Sequence, residues 1–223
     1  YAQLFNNRHV AEALANTLVI GFISTAVSTI LGTTAALALH KYRYKWKGLL
    51  NGLIYLPILI PEIVMGLSLL VLFSQIHLSL GRTSIILAHI TFCLSFVVIT
   101  VGARLDGLKQ EYEEAAGDLY ARPWQCFRYI TLPLIMPGIT AGALIAFTLS
   151  IDDFIISFFA AGPNSTTLPL YIYAMVKRGI SPEINALSTL MIAAEIALVL
   201  LADFFQIRQA GTGRKKELPD DRQ

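Results

Sequence analysis

Acidic residues interrupt or end three apolar runs in this sequence. Glu62 and Glu195 each stand alone within such a run, and Asp152-Asp153 directly follows an uncharged one. A carboxylate is costly to place among apolar groups, so one that is retained there is a candidate for binding a cation. Two plainer interpretations stay open. Glu62 satisfies the N-terminus of a helix that restarts after Pro61, and Glu195 makes a hydrogen bond between helices.

The acidic pair is the sharpest of these signals, because two carboxylates at the C-terminus of a helix oppose the helix dipole. Aromatic residues lie near the pair in the sequence: Phe147, Phe154, Phe158, Phe159, Tyr171 and Tyr173. Carboxylates beside aromatic faces suit an elongated polycation, which gains ion pairs and cation–π contacts. The alternative is a pair of solvated acids among aromatic residues of a membrane interface. The predicted cation pathway consists of Glu62, Asp152, Asp153, Phe154, Tyr171, Tyr173 and Glu195.

The composition indicates the environment of these residues. Of 223 residues, 55% belong to the hydrophobic set AVILMFWYC and only 14% are charged. Soluble domains reach about 45–50% apolar with glycine included, and carry about 25% charge. A mean hydropathy of +0.62 therefore indicates a membrane protein and excludes a disordered chain. The net charge of +2 gives no reason to expect a nucleic acid as partner.

Apolar runs long enough to cross a bilayer occur five times. A hydrocarbon core of about 30 Å needs about 20 apolar residues, and the spans must be helices because the alternation of a β-barrel is absent. The predicted spans cover residues 13–39, 48–75, 83–102, 134–151 and 184–205. They form one all-α polytopic domain over 1–207, with a sixth span expected before Tyr1 and a disordered tail at 208–223. Pro57 and Pro61 are expected to break or kink the second span.

Positive charges are distributed unevenly between the connections. Thirteen of the 17 Lys and Arg residues fall in segment 40–47, in loop 103–133 or in the C-terminal tail. By the positive-inside rule, these three segments face the cytoplasm. Residues 75–82 and 152–183 are then outside.

No pattern in the sequence is typical of a catalytic or nucleotide-binding site, since GxxxxGK[ST], HExxH and CxxC are absent. His89, in the middle of a predicted span, is expected to be buried and hydrogen-bonded. Cys93 and Cys126 fall in different environments, so we expect neither a disulfide nor a metal site. We expect no cofactor in this chain.

Loop 103–133 contains a spaced motif. Residues 114–116 are Glu-Ala-Ala, and residues 130–133 are Ile-Thr-Leu-Pro. This spacing resembles the "EAA" motif of the permeases of binding-protein-dependent ABC importers, although Tyr120 stands where the family pattern has Gly. The resemblance implies the helical bundle of a type I ABC importer permease.

The residues around this motif predict a short docking helix over 110–119, a segment rich in helix formers. Tyr112, Ala115, Ala116 and Leu119 share one face of it, at i, i+3, i+4 and i+7. The resemblance implies that it docks on a nucleotide-binding subunit, and its three Glu and one Asp make the alternative, a position on anionic headgroups, unfavourable. The predicted coupling residues are Tyr112, Glu114, Ala115, Ala116, Leu119 and Tyr120.

Further segments resemble the permeases of spermidine/putrescine importers: Glu62-Ile-Val-Met65, His89-Ile-Thr-Phe-Cys93, Phe147-Thr-Leu-Ser-Ile-Asp-Asp153, Leu168-Pro-Leu170 and Ser181-Pro-Glu-Ile-Asn185. The resemblance implies a pore-forming, non-enzymatic subunit of an ATP-driven polyamine importer of the bacterial inner membrane. It also implies a second homologous permease, a cytoplasmic ATPase dimer that binds ATP and Mg, and a periplasmic polyamine-binding protein.

Two other functions stay open. A cation-coupled secondary transporter would need its own ion site and often shows an inverted repeat, and it has no use for the EAA spacing. An ABC permease for a different small solute would keep this motif and differ only in the pathway.

Overall fold

The computed structural model describes residues 7–42, 45–108, 111–179 and 182–214, and this part of the chain contains helices and loops but no β-strand. The helices in chain order are α1 (Arg8–Lys41), α2 (Lys47–Leu59), α3 (Glu62–Gln75), α4 (Arg82–Asp106), α5 (Glu111–Asp118), α6 (Pro123–Cys126), α7 (Leu132–Asp152), α8 (Ile155–Ala160), α9 (Leu168–Arg178) and α10 (Pro182–Arg214). A π-helical segment, Phe127–Thr131, joins α6 to α7.

Four of the described helices are long and apolar enough to cross a membrane: α1, α4, the continuous helix Pro123–Asp152, and α10. A fifth candidate consists of α2 and α3, whose axes are bent by 110° at a short break. Pro61 stands in that break, and proline cannot donate the backbone hydrogen bond that would continue α2. The all-α polytopic fold predicted from the sequence is confirmed. Its second span, 48–75, is two helices at an angle and not one straight helix.

Small residues let α1, α4 and α7 approach one another closely. A Cβ atom added to Gly32 of α1 would lie 2.6 Å from Val97 Cγ1 in α4, and one added to Gly138 of α7 would lie 2.8 Å from Arg104 Cβ. Close backbone approach supplies packing contacts where lipid removes the hydrophobic driving force between helices. The fully buried aliphatic residues of this core include Ile20, Ile85, Val97, Val101 and Ile135.

The C-terminal ends of α1 and α4 lie beside the start of α7. His40 Nδ1 is 3.2 Å from Asp106 Oδ1, and Arg104 Nε donates to the carbonyl of Leu134 at 3.1 Å. The cation-rich segment 40–47 and the loop 103–133 therefore lie at the same end of the bundle, as the charge distribution requires.

At the opposite end, the loop between α8 and α9 is fixed to α1. The side-chain amide of Asn16 donates to two backbone carbonyls of this loop, and Thr17 Oγ1 accepts the N–H of Leu168 at 2.7 Å. A Cβ atom at Gly162 would overlap the carbonyl oxygen of Leu80. Glycine is thus required where this loop meets the loop between α3 and α4, the two loops that are predicted to lie outside.

Helix α10 is longer than the predicted span 184–205. It continues to Arg214, into the segment 208–223 for which the sequence predicts disorder, because extending an existing helix costs little compared with starting one. Residues 215–223 lie outside the described residues. So does Gln110, the predicted first residue of the docking helix, which here begins at Glu111.

Candidate functional site

Two of the predicted pathway acids meet between α7 and α10. Asp152, the last residue of α7, is exposed, and Glu195 in the neighbouring helix α10 is close enough to interact with it electrostatically. The neighbouring Ile151 lies beside Gly21 of α1, so Asp152 stands at the level of α1, although Asp152 itself is exposed. Two carboxylates that interact in this way repel each other, and a cation placed between them removes this repulsion.

Asp153 has a different environment from Asp152. Its side chain is 5% exposed, and it accepts the backbone N–H groups of Ile156 at 3.2 Å and Ser157 at 2.7 Å. These bonds cap the N-terminus of α8. The sequence predicts that Asp153 acts with Asp152 in the pathway, but the structure turns Asp153 into the protein interior, because the chain leaves its helical path between α7 and α8.

His89 of α4 occupies the centre of this buried polar cluster. Its Nε2 lies 3.1 Å from Asp153 Oδ2 and 3.0 Å from Ser157 Oγ, and its Nδ1 lies 2.7 Å from Ser150 Oγ. Because a carboxylate only accepts hydrogen bonds, Nε2 carries a proton. The prediction of a buried, hydrogen-bonded histidine is confirmed. Its partner Ser157 was not predicted, because nothing in the sequence indicates how α8 turns back onto α4.

Aromatic side chains lie directly after Asp152 and Asp153, where the chain breaks between α7 and α8. The ring centroids of Phe154 and Tyr173 are 4.6 Å apart, and Phe158 adds a third ring, 6.4 Å from Tyr173. Lys177 Nζ lies 4.8 Å from the centroid of Tyr173, a cation–π contact whose only sequence signal is i, i+4 spacing on α9. Tyr171 is separate from these rings and packs into a small apolar cluster between α1, α9 and α10.

Glu62 is the first residue of α3 and is exposed at the break after Pro61. A helix N-terminus favours an anion. This preference alone explains why Glu62 stands there, so no bound cation is needed to explain it. Glu62 takes part in no ion pair within the described part of the chain.

Helix α5 lies at the surface and ends with a tight backbone turn. Ala121 N–H donates to the carbonyl of Ala116 at 3.0 Å, and Tyr120 N–H donates to that of Gly117 at 2.9 Å. This is the Schellman pattern, in which the residue after the helix adopts the left-handed conformation that glycine prefers. Tyr120 adopts it with φ = +58°, at the position where the family pattern has Gly.

Most of the predicted coupling residues face solvent. Tyr112 is 47% exposed, Leu119 82% and Tyr120 95%, and Glu114 and Ala115 are exposed as well. Ala116 is an exception, because it is buried against its own chain and holds α5 in place. A cavity of about 750 Å³ lies between α5, the end of α1 and the start of α7.

A bundle of long apolar helices that carries acids on two neighbouring helices and exposes a short helix at one end suits a subunit of a membrane transport system. The family described as binding-protein-dependent transport system inner membrane component matches residues 14–209. The chain belongs to this family and is therefore a multi-pass component of an inner membrane. The resemblance inferred from the EAA spacing is confirmed.

Named relatives cover most of the chain. The spermidine/putrescine transport system permease protein PotC of Haemophilus influenzae is 42% identical over 202 residues, 91% of this chain and 79% of that protein. The putrescine transport system permease protein PotI of Escherichia coli is 40% identical, over 87% of this chain and 72% of that protein. A crystal structure of a bacterial ABC transporter for alginate import has the same fold, with a TM-score of 0.72 at 20% identity over 93% of this chain and 82% of that one.

Proposed function

We propose that this chain is one of two pore-forming permease subunits of an ATP-driven importer that moves polyamines inward. Family membership supports the transporter class. The similarity to permeases named for spermidine and putrescine supports the substrate class. The chain carries out no bond chemistry, and ATP with Mg is bound and hydrolysed on a separate ATPase dimer.

The observation that carries the polyamine assignment is the similarity to the named polyamine permeases, and two acids, Asp152 and Glu195, stand on the facing helices α7 and α10. A polyamine loses water as it enters the bundle, and each ammonium group then needs negative charge nearby. Two aromatic rings that contact each other offer additional cation–π attraction. Phe154 lies two residues after Asp152, and Tyr173 lies in α9. Several such weak contacts, in place of one tight site, let the substrate leave again.

The partners follow from the same proposal. A second homologous permease completes the pore, a periplasmic binding protein delivers the polyamine outside, and α5 docks on the ATPase inside. The distribution of Lys and Arg supports this orientation, with the C-terminus in the cytoplasm. ATP-driven closure of the ATPase dimer would then reach the pore through α5 and the segment 123–131, against which α5 packs.

Stimulation of ATP hydrolysis tests the substrate class. The reconstituted complex receives the delivery protein empty or loaded with spermidine, putrescine or a neutral solute. We expect the spermidine- or putrescine-loaded forms to raise the ATPase rate above that with the empty form. Stimulation only by a delivery protein that carries a non-cationic solute would retain the ABC permease and reject the polyamine assignment.

A further inference from the structure

The turn after α5 places a large side chain in an unfavourable conformation. Tyr120 has φ = +58°, which is in the left-handed region. In this region the Cβ atom crowds the backbone, so residues other than glycine seldom adopt it. The side chain is 95% exposed, so packing within this chain does not compensate the strain.

The hydrogen bonds of the turn do not require tyrosine. Both bonds that close the turn use backbone atoms, from Tyr120 N–H to Gly117 and from Ala121 N–H to Ala116. Glycine would make the same bonds without strain. The strain at Tyr120 is therefore one that a contact outside this chain could compensate.

The surroundings of Tyr120 indicate the chemistry of that contact. Leu119, directly before it, is 82% exposed, so two large exposed side chains stand next to each other at the end of α5, and we call this pair the apolar tip. The preceding helix carries the exposed acids Glu111, Glu114 and Asp118. Acidic groups disfavour contact with an anionic membrane surface, whereas an apolar tip with an acidic flank fits a protein pocket with a basic rim.

We propose that the apolar tip of Tyr120 and Leu119 enters an apolar, basic-rimmed pocket on the ATPase subunit, and that Tyr120 determines which ATPase this permease accepts. The inference rests on the proposed function, since it assumes that α5 docks on an ATPase. Buried aromatic residues at the centre of an interface commonly carry much of its affinity. An ATPase whose pocket fits only a glycine turn would be rejected.

The test uses the permease pair in nanodiscs, with the purified ATPase added in increasing amounts. The variant Tyr120→Gly should keep or raise the Tm of the permease pair, because it relieves the strained φ. It should also weaken ATPase binding by roughly tenfold or more. Tyr120→Phe keeps the ring and is expected to bind within about threefold of the natural chain. A gain in stability together with a loss of affinity separates a contact role from a folding role.

Two results would overturn the proposal. The first is unchanged ATPase affinity in Tyr120→Gly. In that case, the charge reversal Glu114→Lys decides the proposed function: loss of binding in that variant keeps α5 as the docking helix, and unchanged binding rejects it. The second is membrane insertion, seen when a fluorescent label on Tyr120→Cys is quenched by brominated lipids in the assembled complex, the label having been attached before assembly to a chain without Cys93 and Cys126.

Discussion

Adjacent acidic residues have different environments in this protein. The sequence places Asp152 and Asp153 side by side and predicts one shared role, but the break after α7 separates them. Asp152 interacts with Glu195 across two helices, whereas Asp153 caps α8 and binds His89. Charge and position along the chain are visible in a sequence. The direction in which an irregular segment turns is not, because it depends on partners such as Ser157 far along the chain.

Neutralising Asp152 is expected to reduce transport while leaving the fold intact. Asp152→Asn keeps the shape and removes one charge from an exposed position. We expect uptake of polyamine per folded complex to fall by roughly 5- to 150-fold, which corresponds to about 1–3 kcal/mol, with an unchanged Tm. Glu195→Gln should act in the same direction. A lower Tm with normal uptake per folded complex would instead show that Asp152 has a structural role.

Truncating Asp153 is expected to reduce stability first. Asp153→Ala removes the acceptor for two backbone N–H groups and for His89 Nε2, all buried. Leaving buried donors unpaired costs about 3 kcal/mol, which should lower the Tm and the yield of assembled complex. A Tm equal to that of the natural chain would contradict the role of Asp153 as a cap.

At the scale of elements, the sequence predicts the helices well and their junctions poorly. Apolar length and proline positions are sufficient for the spans and for the break at Pro61. The 110° angle of that break depends on packing, since α3 lies against α8 through the contact of Gly66 with Phe159. The C-terminal end of α5 is also predicted to within one residue, but the burial of Ala116 is not, because helical periodicity alone does not indicate which neighbours cover a face.

The exposed helix α5 should transmit ATP hydrolysis to the pore. Glu114→Lys reverses a charge on its surface without touching a span, so we expect loss of ATPase co-purification and of transport, with the permease pair still folded. Glu12→Lys is a matched control. It reverses an exposed acid at the opposite end of the bundle, where Glu12 pairs with Arg8 at 2.7 Å, and such a pair contributes only about 0.2–1 kcal/mol. Equal effects of the two variants would contradict docking through α5.

The contact between the two outer loops should tolerate no side chain at Gly162. A Cβ atom there would overlap a backbone carbonyl, which cannot rotate away, so Gly162→Ala should cost about 1–3 kcal/mol of stability and lower the Tm. Gly52→Ala in α2 is the control, because a Cβ atom at Gly52 meets nothing within 4 Å, and alanine favours a helix. Equal Tm values for the two variants would show that the outer loops rearrange freely.

At the scale of the whole molecule, charge distribution predicts the topology. A single cysteine is introduced at Ser79 or at Gly213 in a chain without Cys93 and Cys126. A membrane-impermeant reagent applied to intact cells is expected to label position 79 and to leave position 213 unmodified. The opposite pattern would invert the topology and place α5 outside, away from any ATPase.

The sequence also predicts the class of the molecule, because composition, span count and motif spacing are properties of the chain as a whole. The pathway is less predictable. Glu195 and Asp152 are far apart in the sequence, and only the packing of α7 against α10 brings them together. A pore between two permease subunits depends in addition on a surface that this chain shares with its partner.

The energy source for polyamine uptake tests the central claim most directly. Proteoliposomes that contain the two permeases and the ATPase are given spermidine-loaded delivery protein, with or without ATP on the ATPase side. Ionophores collapse any ion gradient in parallel samples. We predict uptake that requires ATP and delivery protein, persists with ionophores and falls in Asp152→Asn. Uptake driven by an ion gradient without ATP would contradict the account and indicate a cation-coupled secondary transporter.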